Sequence, residues 1–155
     1  MYTTEPEDKK AFTAKMDRSY SRTARIYDTV VRLLPTWRGW IGSVLPHING
    51  PRVLEVAFGT GYLLTQYAGK YETYGIDYNW EMVQTAKHNL EEKQIQPKLV
   101  QADVENLPFP PGCFDTLVNT MSFSGYPDGG RAMGEIYRVL GQGGGLKCIN
   151  PIKIK

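Results

Sequence analysis

The chain has 155 residues, 41% of them hydrophobic, and a net charge of +2 carried by scattered Lys and Arg. That is enough apolar material for one domain, without a basic block suited to nucleic acid or an anionic membrane. Cys113 and Cys148 stand far apart with no C-x-x-C pair, and no apolar run approaches the roughly 20 residues of a membrane span, so a disulfide framework, a metal site and an integral membrane segment lack support and a cytoplasmic location is expected.

Residues 1–10 are polar and expected to be a flexible N-terminus. Residues 11–155 form the single expected domain, with N-terminal helices over 11–48 and a ligand-binding core over 51–150. Helical character runs from Phe12 to Leu34, with Tyr20, Ala24 and Tyr27 on one face. Pro35 is expected to end this helix, and a second is predicted from Trp37 to Leu45.

The run Val53-Leu54-Glu55-Val56-Ala57-Phe58-Gly59-Thr60-Gly61 predicts a buried strand ending in a carboxylate, a glycine turn, and a helix from near Tyr62. Gly59 and Gly61 supply backbone conformations that a Cβ disfavours and let a ligand approach the main chain. The helix end beyond them favours an anionic group by about 0.3–1 kcal/mol. A second strand, Thr73-Tyr74-Gly75-Ile76-Asp77, places Asp77 about twenty residues beyond the turn, where a carboxylate accepts ribose hydroxyls. Trp80 to Glu92 is predicted helical, with Met82, Val83, Ala86 and Leu90 inward and Lys87, Glu91, Glu92 and Lys93 outward. His88 and His47 are expected to be surface residues.

Lys98-Leu99-Val100 predicts a third strand leading to Gln101-Ala102-Asp103-Val104. The turn Pro110-Pro111-Gly112 precedes a fourth strand, Phe114-Asp115-Thr116-Leu117-Val118-Asn119. Ala132 to Leu140 is helical by spacing, with Met133, Ile136, Val139 and Leu140 on one face and Gly141 as its stop. Gly143-Gly144-Gly145-Leu146-Lys147 then leads into a fifth strand.

Strand, glycine turn and helix serve several nucleotides, and spacing discriminates among them. A dinucleotide fingerprint started at Gly59 needs glycine where Leu64 stands, and one started at Ala57 needs it at Tyr62. Glu55-x-Ala57-x-Gly59-x-Gly61 instead resembles the E-x-G-x-G-x-G pattern of class I S-adenosylmethionine-dependent methyltransferases, with one glycine replaced by alanine. The R-V-L-x-x-G-G turn of those enzymes resembles Arg138 to Gly144, and Tyr20 to Asp28 looks like a segment preceding the glycine loop in quinone-biosynthesis methyltransferases, with Ser21 departing from it. The likeness spans residues 50 to 150.

The resemblance implies a Rossmann-like, doubly wound, mostly parallel sheet of order 3-2-1-4-5, lacking the last two strands usual in the family. It implies S-adenosyl-L-methionine as cofactor, held by Glu55, Ala57, Gly59, Gly61 and Asp77. The residues after Asp77, namely Tyr78, Trp80 and Met82, are expected near the adenine ring, with core packing an equal alternative for Met82. Asp103 and the amide of Val104 are expected at the adenine edge. Asn119, Thr120 and Ser122 lie where methyl donor and acceptor should meet, and Tyr20 and Tyr27 are candidates for a lid or acceptor wall, or for simple packing on the sheet. Methyl transfer needs no diagnostic acid or base, because orientation alone can supply about 7–11 kcal/mol, and no catalytic residue is assigned. The absence of N-P-P-Y and D-P-P-Y argues against amino-methylation of nucleic acids and favours a small quinone-like or lipid-like acceptor. An adenosylmethionine-binding remnant without turnover is the alternative, and a nicotinamide-dependent oxidoreductase a distant third, since Asp103 would have no role there. An open fifth strand would expose unpaired backbone groups, giving the expectation of a homodimer or of a shortened, weakened enzyme.

Overall fold

The computed structural model of the protein describes residues 11, 14, 18, 35–122 and 125–149. Five strands, β1 (Arg52–Val56), β2 (Glu72–Asp77), β3 (Lys98–Gln101), β4 (Phe114–Thr120) and β5 (Leu140–Ile149), form one sheet. Their order is β3-β2-β1-β4-β5, and all four pairings are parallel. This is the expected Rossmann-like topology. The helices are α1 (Pro35–Gly42), α2 (Leu64–Tyr67), α3 (Trp80–Glu91) and α4 (Gly129–Val139).

A central parallel strand is covered on both faces, so both sets of its alternating side chains must be buried. In β1 every residue after Arg52 is buried. Val53 packs with Ile41, Leu64, Val83 and Leu90 from α1, α2 and α3. Leu54 and Val56 pack with Ile136 and Val139 of α4 on the opposite face. Each such side chain stabilises the fold by about 1.5–3 kcal/mol relative to exposure. The same period of two puts Glu55 on the Val53 side, beneath α2.

The inward and outward residues of α3 follow the predicted pattern. Asn79 starts the helix by accepting from the Met82 amide at 3.0 Å, a cap worth about 1 kcal/mol. His88 is exposed, 3.5 Å from Glu92, which is also exposed.

Four boundaries differ from expectation. The helix after the glycine turn starts at Leu64 rather than near Tyr62 and lasts one turn, because Gly61 at φ 74 is outside helical geometry and Tyr62 and Leu63 complete the turn. Gly141 does not stop α4: the helix ends at Val139 and Leu140 is already extended. Strand β5 accordingly begins before the triple glycine. Its register skips from Phe114↔Leu140 to Thr116↔Gly145, so residues 141–144 are accommodated as an irregularity, with Gly143 at φ 77. Most of the segment Phe12 to Leu34 lies outside the described residues, although Ala14 and Arg18 within it are helical; Pro35, expected to end a helix, is instead the first residue of α1, which stops at Gly42 rather than Leu45.

Candidate functional site

Val56 lies opposite both Ile76 and Asn119, and Asp77 lies opposite Gln101. The chain therefore leaves β1, β2, β3 and β4 at one end of the sheet, which in open parallel sheets is where ligands bind. Asp77, 8% exposed, joins two of these loops. One carboxyl oxygen accepts from the Gly59 amide at 2.8 Å and the other from the Asn79 amide at 2.9 Å. The Asp77 carbonyl accepts from Ala102 at 3.0 Å, so the strand tip also touches the loop leading to Asp103. Asp103 is exposed, and its Oδ1 accepts from the Glu105 amide at 2.9 Å.

The two glycines of the turn do different work. A Cβ built on Gly59 meets nothing within 4 Å, whereas one on Gly61 would sit 2.8 Å from the Ala86 Cβ. Gly59 thus leaves open space at its Cβ position while its amide bonds Asp77, and Gly61 lets the turn lie against α3. Ala57 occupies the left-handed region at φ 53, at a cost of about 1–2 kcal/mol for a residue with a Cβ. Ala57→Gly is expected to raise unfolding free energy by about 0.5–1 kcal/mol, the relieved strain less the entropy glycine adds to the unfolded chain. Urea unfolding measures this, and a variant of equal or lower stability would show that the position carries no strain.

Glu55 is 1% exposed and sits behind the turn. The Tyr67 hydroxyl donates to its Oε2 at 2.8 Å. Burial pushes the Glu55 carboxyl up to about 8; the Tyr67 hydrogen bond pulls the other way, and the neighbouring Asp77 charge adds to the rise. Tyr67 is itself held well above the ordinary phenol range, by burial first and then by Glu55. Glu55 and Asp77 thus lie close enough to interact electrostatically.

The end of β4 carries a polar cluster. Ser122 donates to Asn119 Oδ1 at 2.6 Å, Asn119 Nδ2 donates to the Tyr126 hydroxyl at 3.1 Å, and the Ser122 and Tyr126 hydroxyls are 3.0 Å apart. Burial raises the Tyr126 phenol, opposed by those two hydrogen bonds and reinforced by the charge of Asp77, so the cluster faces the same strand tips. Thr120 is half-buried beside it. Sequence reasoning missed Tyr126, Asn79 and Tyr67. An Asn just before a helical run was the available signal for Asn79; Tyr67 and Tyr126 carried none.

The remaining candidates separate. Tyr78 is 49% exposed at the tip of β2, and its carbonyl accepts from the Gln101 amide group at 3.0 Å. The side chains of Met82 and Val104 are buried, Val104 in the core beneath α4, and the Met82 amide is taken up by the Asn79 cap. Trp80 is exposed and lines a groove between α3 and β3 with Leu99 and Gln101. Tyr20 and Tyr27 lie outside the described residues. Among the described residues no group of three or more His, Cys, Asp or Glu gathers to hold a metal, and no helix is long and apolar enough to cross a membrane.

A family model described as a methyltransferase domain matches residues 54–148, from β1 to the end of β5. The chain belongs to the class I S-adenosylmethionine-dependent methyltransferases. It is 38% identical over 108 residues to phosphatidylethanolamine N-methyltransferase of Cereibacter sphaeroides, covering 67% of this chain and 53% of that protein. It is 33% identical over 135 residues to demethylmenaquinone methyltransferase of Thermus thermophilus, covering 82% of this chain and 61% of that protein. A SAM-dependent methyltransferase from Aquifex aeolicus shares the fold, with TM-score 0.71 at 20% identity over 84% of this chain and 72% of that one. The methyltransferase domain described here thus spans between half and two thirds of the length of these two curated relatives, and the cofactor of its family is S-adenosyl-L-methionine.

Proposed function

We propose that this domain transfers a methyl group from S-adenosylmethionine to a small acceptor of quinone or lipid type. The observation that carries the reading is the open space at Gly59, whose amide is bonded to the side chain of Asp77. An adenosyl group needs a backbone it can approach and an acceptor for its ribose, and both are present at one strand tip. In this reading the turn from Ala57 to Gly61 holds the amino-acid end and Asp77 accepts from the ribose. Tyr78 and the Met82 main chain flank the adenine, and Asp103 with the Val104 amide meets its edge. Glu55 lies behind the turn as a buried group bonded to Tyr67.

When bound, the cofactor supplies an electrophilic methyl on a sulfonium, which the acceptor's nucleophilic atom takes as the thioether leaves. The residues of the chain orient and shield. Asp77 fixes the Gly59 and Asn79 amides, so the turn is set before a ligand arrives; such preorganisation is where the barrier lowering of orientation comes from. Asn119, Ser122 and Tyr126 form the polar wall on the acceptor side, with their hydroxyl and amide groups bonded to one another. The named substrates of the two curated relatives, a quinone precursor and a phospholipid, support the acceptor class.

The test is methyl transfer from labelled adenosylmethionine to demethylmenaquinone and to phosphatidylethanolamine vesicles, beside protein and nucleic acid. Label in one of the first two is expected. Label only in protein or nucleic acid would overturn the acceptor class, and calorimetry showing no affinity for adenosylmethionine or adenosylhomocysteine would overturn the site.

A further inference from the structure

The segment between β3 and β4 crosses the sheet end without helix or strand after Gln101, yet it is tied to α4 by a closed ring of hydrogen bonds. Asp103 Oδ1 accepts from the Glu105 amide at 2.9 Å, and Glu105 Oε1 accepts from the Asp128 amide at 2.8 Å. Asp128 Oδ1 accepts from the Arg131 amide at 2.9 Å, and Arg131 Nε donates back to the Glu105 carbonyl at 3.0 Å. Glu105 is 3% exposed and takes part at three of these four bonds, with its amide, its side chain and its carbonyl. Asp128 is the N-cap of α4. It stands two residues after Tyr126, whose hydroxyl joins Asn119 and Ser122.

We propose that Glu105 is a positioning residue that couples the loop beyond β3 to the start of α4, so that a nucleotide held at Asp103 orders the acceptor-side wall at Tyr126. This rests on the cofactor reading above. A hydrogen-bonded link transmits order only if its members are held on both sides, and here they are. On one side Asp103 and Val104 follow Ala102, whose amide donates to the Asp77 carbonyl, and Gln101, which is paired with Asp77 in the sheet. On the other, Asp128 fixes the first turn of α4 through the Arg131 amide. Ordering the Asp103 turn therefore restrains Glu105, then the Asp128 amide, then the short stretch to Tyr126. Each step is a contact whose loss in an apolar surrounding leaves a polar group unsatisfied.

A second attachment makes the coupling separable from folding. Glu135 Oε2 accepts from the Leu107 amide at 2.7 Å, and Arg138 donates to the carbonyls of Leu107 at 3.0 Å and Phe109 at 2.7 Å. The loop thus stays fastened to α4 beyond residue 106 when Glu105 is changed. What Glu105 adds is the connection of the ligand-side turn to the helix start.

Hydrogen exchange with saturating adenosylhomocysteine tests this without knowledge of the acceptor. In the unaltered chain the ligand is expected to slow exchange in peptides covering 57–61, 103–106 and 125–131. In Glu105→Ala the slowing at 57–61 should persist while that at 125–131 falls at least threefold. Glu105→Gln, which keeps an oxygen for the Asp128 amide, should restore it. Arg131→Met, which removes the bond to the Glu105 carbonyl and leaves the Arg131 amide on Asp128, should lower the slowing at 125–131 by about twofold and serves if the alanine variant does not fold. A purely structural Glu105 would alter exchange equally with and without ligand. Ligand-linked slowing at 125–131 that is unchanged in Glu105→Ala or Arg131→Met overturns the coupling. So does slowing at 57–61 with none at 125–131 in the unaltered chain. No slowing at 57–61 in the unaltered chain overturns the cofactor reading and this coupling with it.

Discussion

Gly59→Val is expected to abolish measurable binding of adenosylmethionine and adenosylhomocysteine, a loss of about a hundredfold or more, corresponding to about 3 kcal/mol. Two effects act together. The new Cβ and its two methyls would enter the space that is empty within 4 Å of the ideal Cβ position, which is the space the adenosyl ligand needs. The backbone at φ 58 is also one that a β-branched residue resists, so the turn shifts and the Gly59 amide leaves Asp77. The control is Gly61→Val. Its Cβ would collide with Ala86 at 2.8 Å, so that substitution should act on stability, separating α3 from the turn and lowering the melting temperature. Calorimetric titration and thermal melts together distinguish the two. Full affinity in Gly59→Val would place the nucleotide elsewhere.

That contrast also shows what a sequence can say about a glycine loop. The strand, the turn and the acid at the end of β2 were legible because each has a local cause: a run of apolar residues, a backbone that only glycine adopts comfortably, a carboxyl where pairing ends. The sheet order followed from the family resemblance and was matched by the strand registers. The division of labour between Gly59 and Gly61 was hidden, since it depends on Ala86, which is brought against the turn only by the crossover of α3. Tyr126 was hidden for the same reason. Its neighbours Asn119 and Ser122 were named from the end of β4, but the hydroxyl that closes the cluster comes from beyond the next turn and has no periodicity to mark it. The start of β5 was misplaced because Gly141 resembles a helix stop. In the fold Gly112 donates its amide to the Arg138 carbonyl at 2.9 Å, satisfying one of the carbonyls at the end of α4 without a left-handed residue.

Glu55 shows the same limit and gives the second large prediction. The motif marks it as an acid, and the alternation of β1 turns it beneath α2, where Tyr67 meets it. The folded chain holds its proton up to about pH 8, whereas an unfolded glutamate, with its ordinary value of 4.5, has lost it. The native state therefore binds more protons than the unfolded state across that window. Unfolding free energy must fall as pH rises from about 4.5 to about 8, then level off. The exposed carboxyl of Glu72 and the half-buried one of Glu135 are held below their ordinary values by Lys98 and Arg138. Their contribution has the opposite sign and is confined to more acid solution. The raised thiols of Cys113 and Cys148 act above pH 8. Among the described residues, the window between carries the titration of Glu55. Glu55→Gln keeps an oxygen to accept from Tyr67 and removes the titration. It should match the unaltered chain near about pH 5 and exceed it by about 2–4 kcal/mol near about pH 8.5, as read from urea unfolding at both values. A variant that loses stability with pH as steeply as the unaltered chain would show that Glu55 is ionised in the fold, and that its burial is offset by a cation the Tyr67 contact does not reveal.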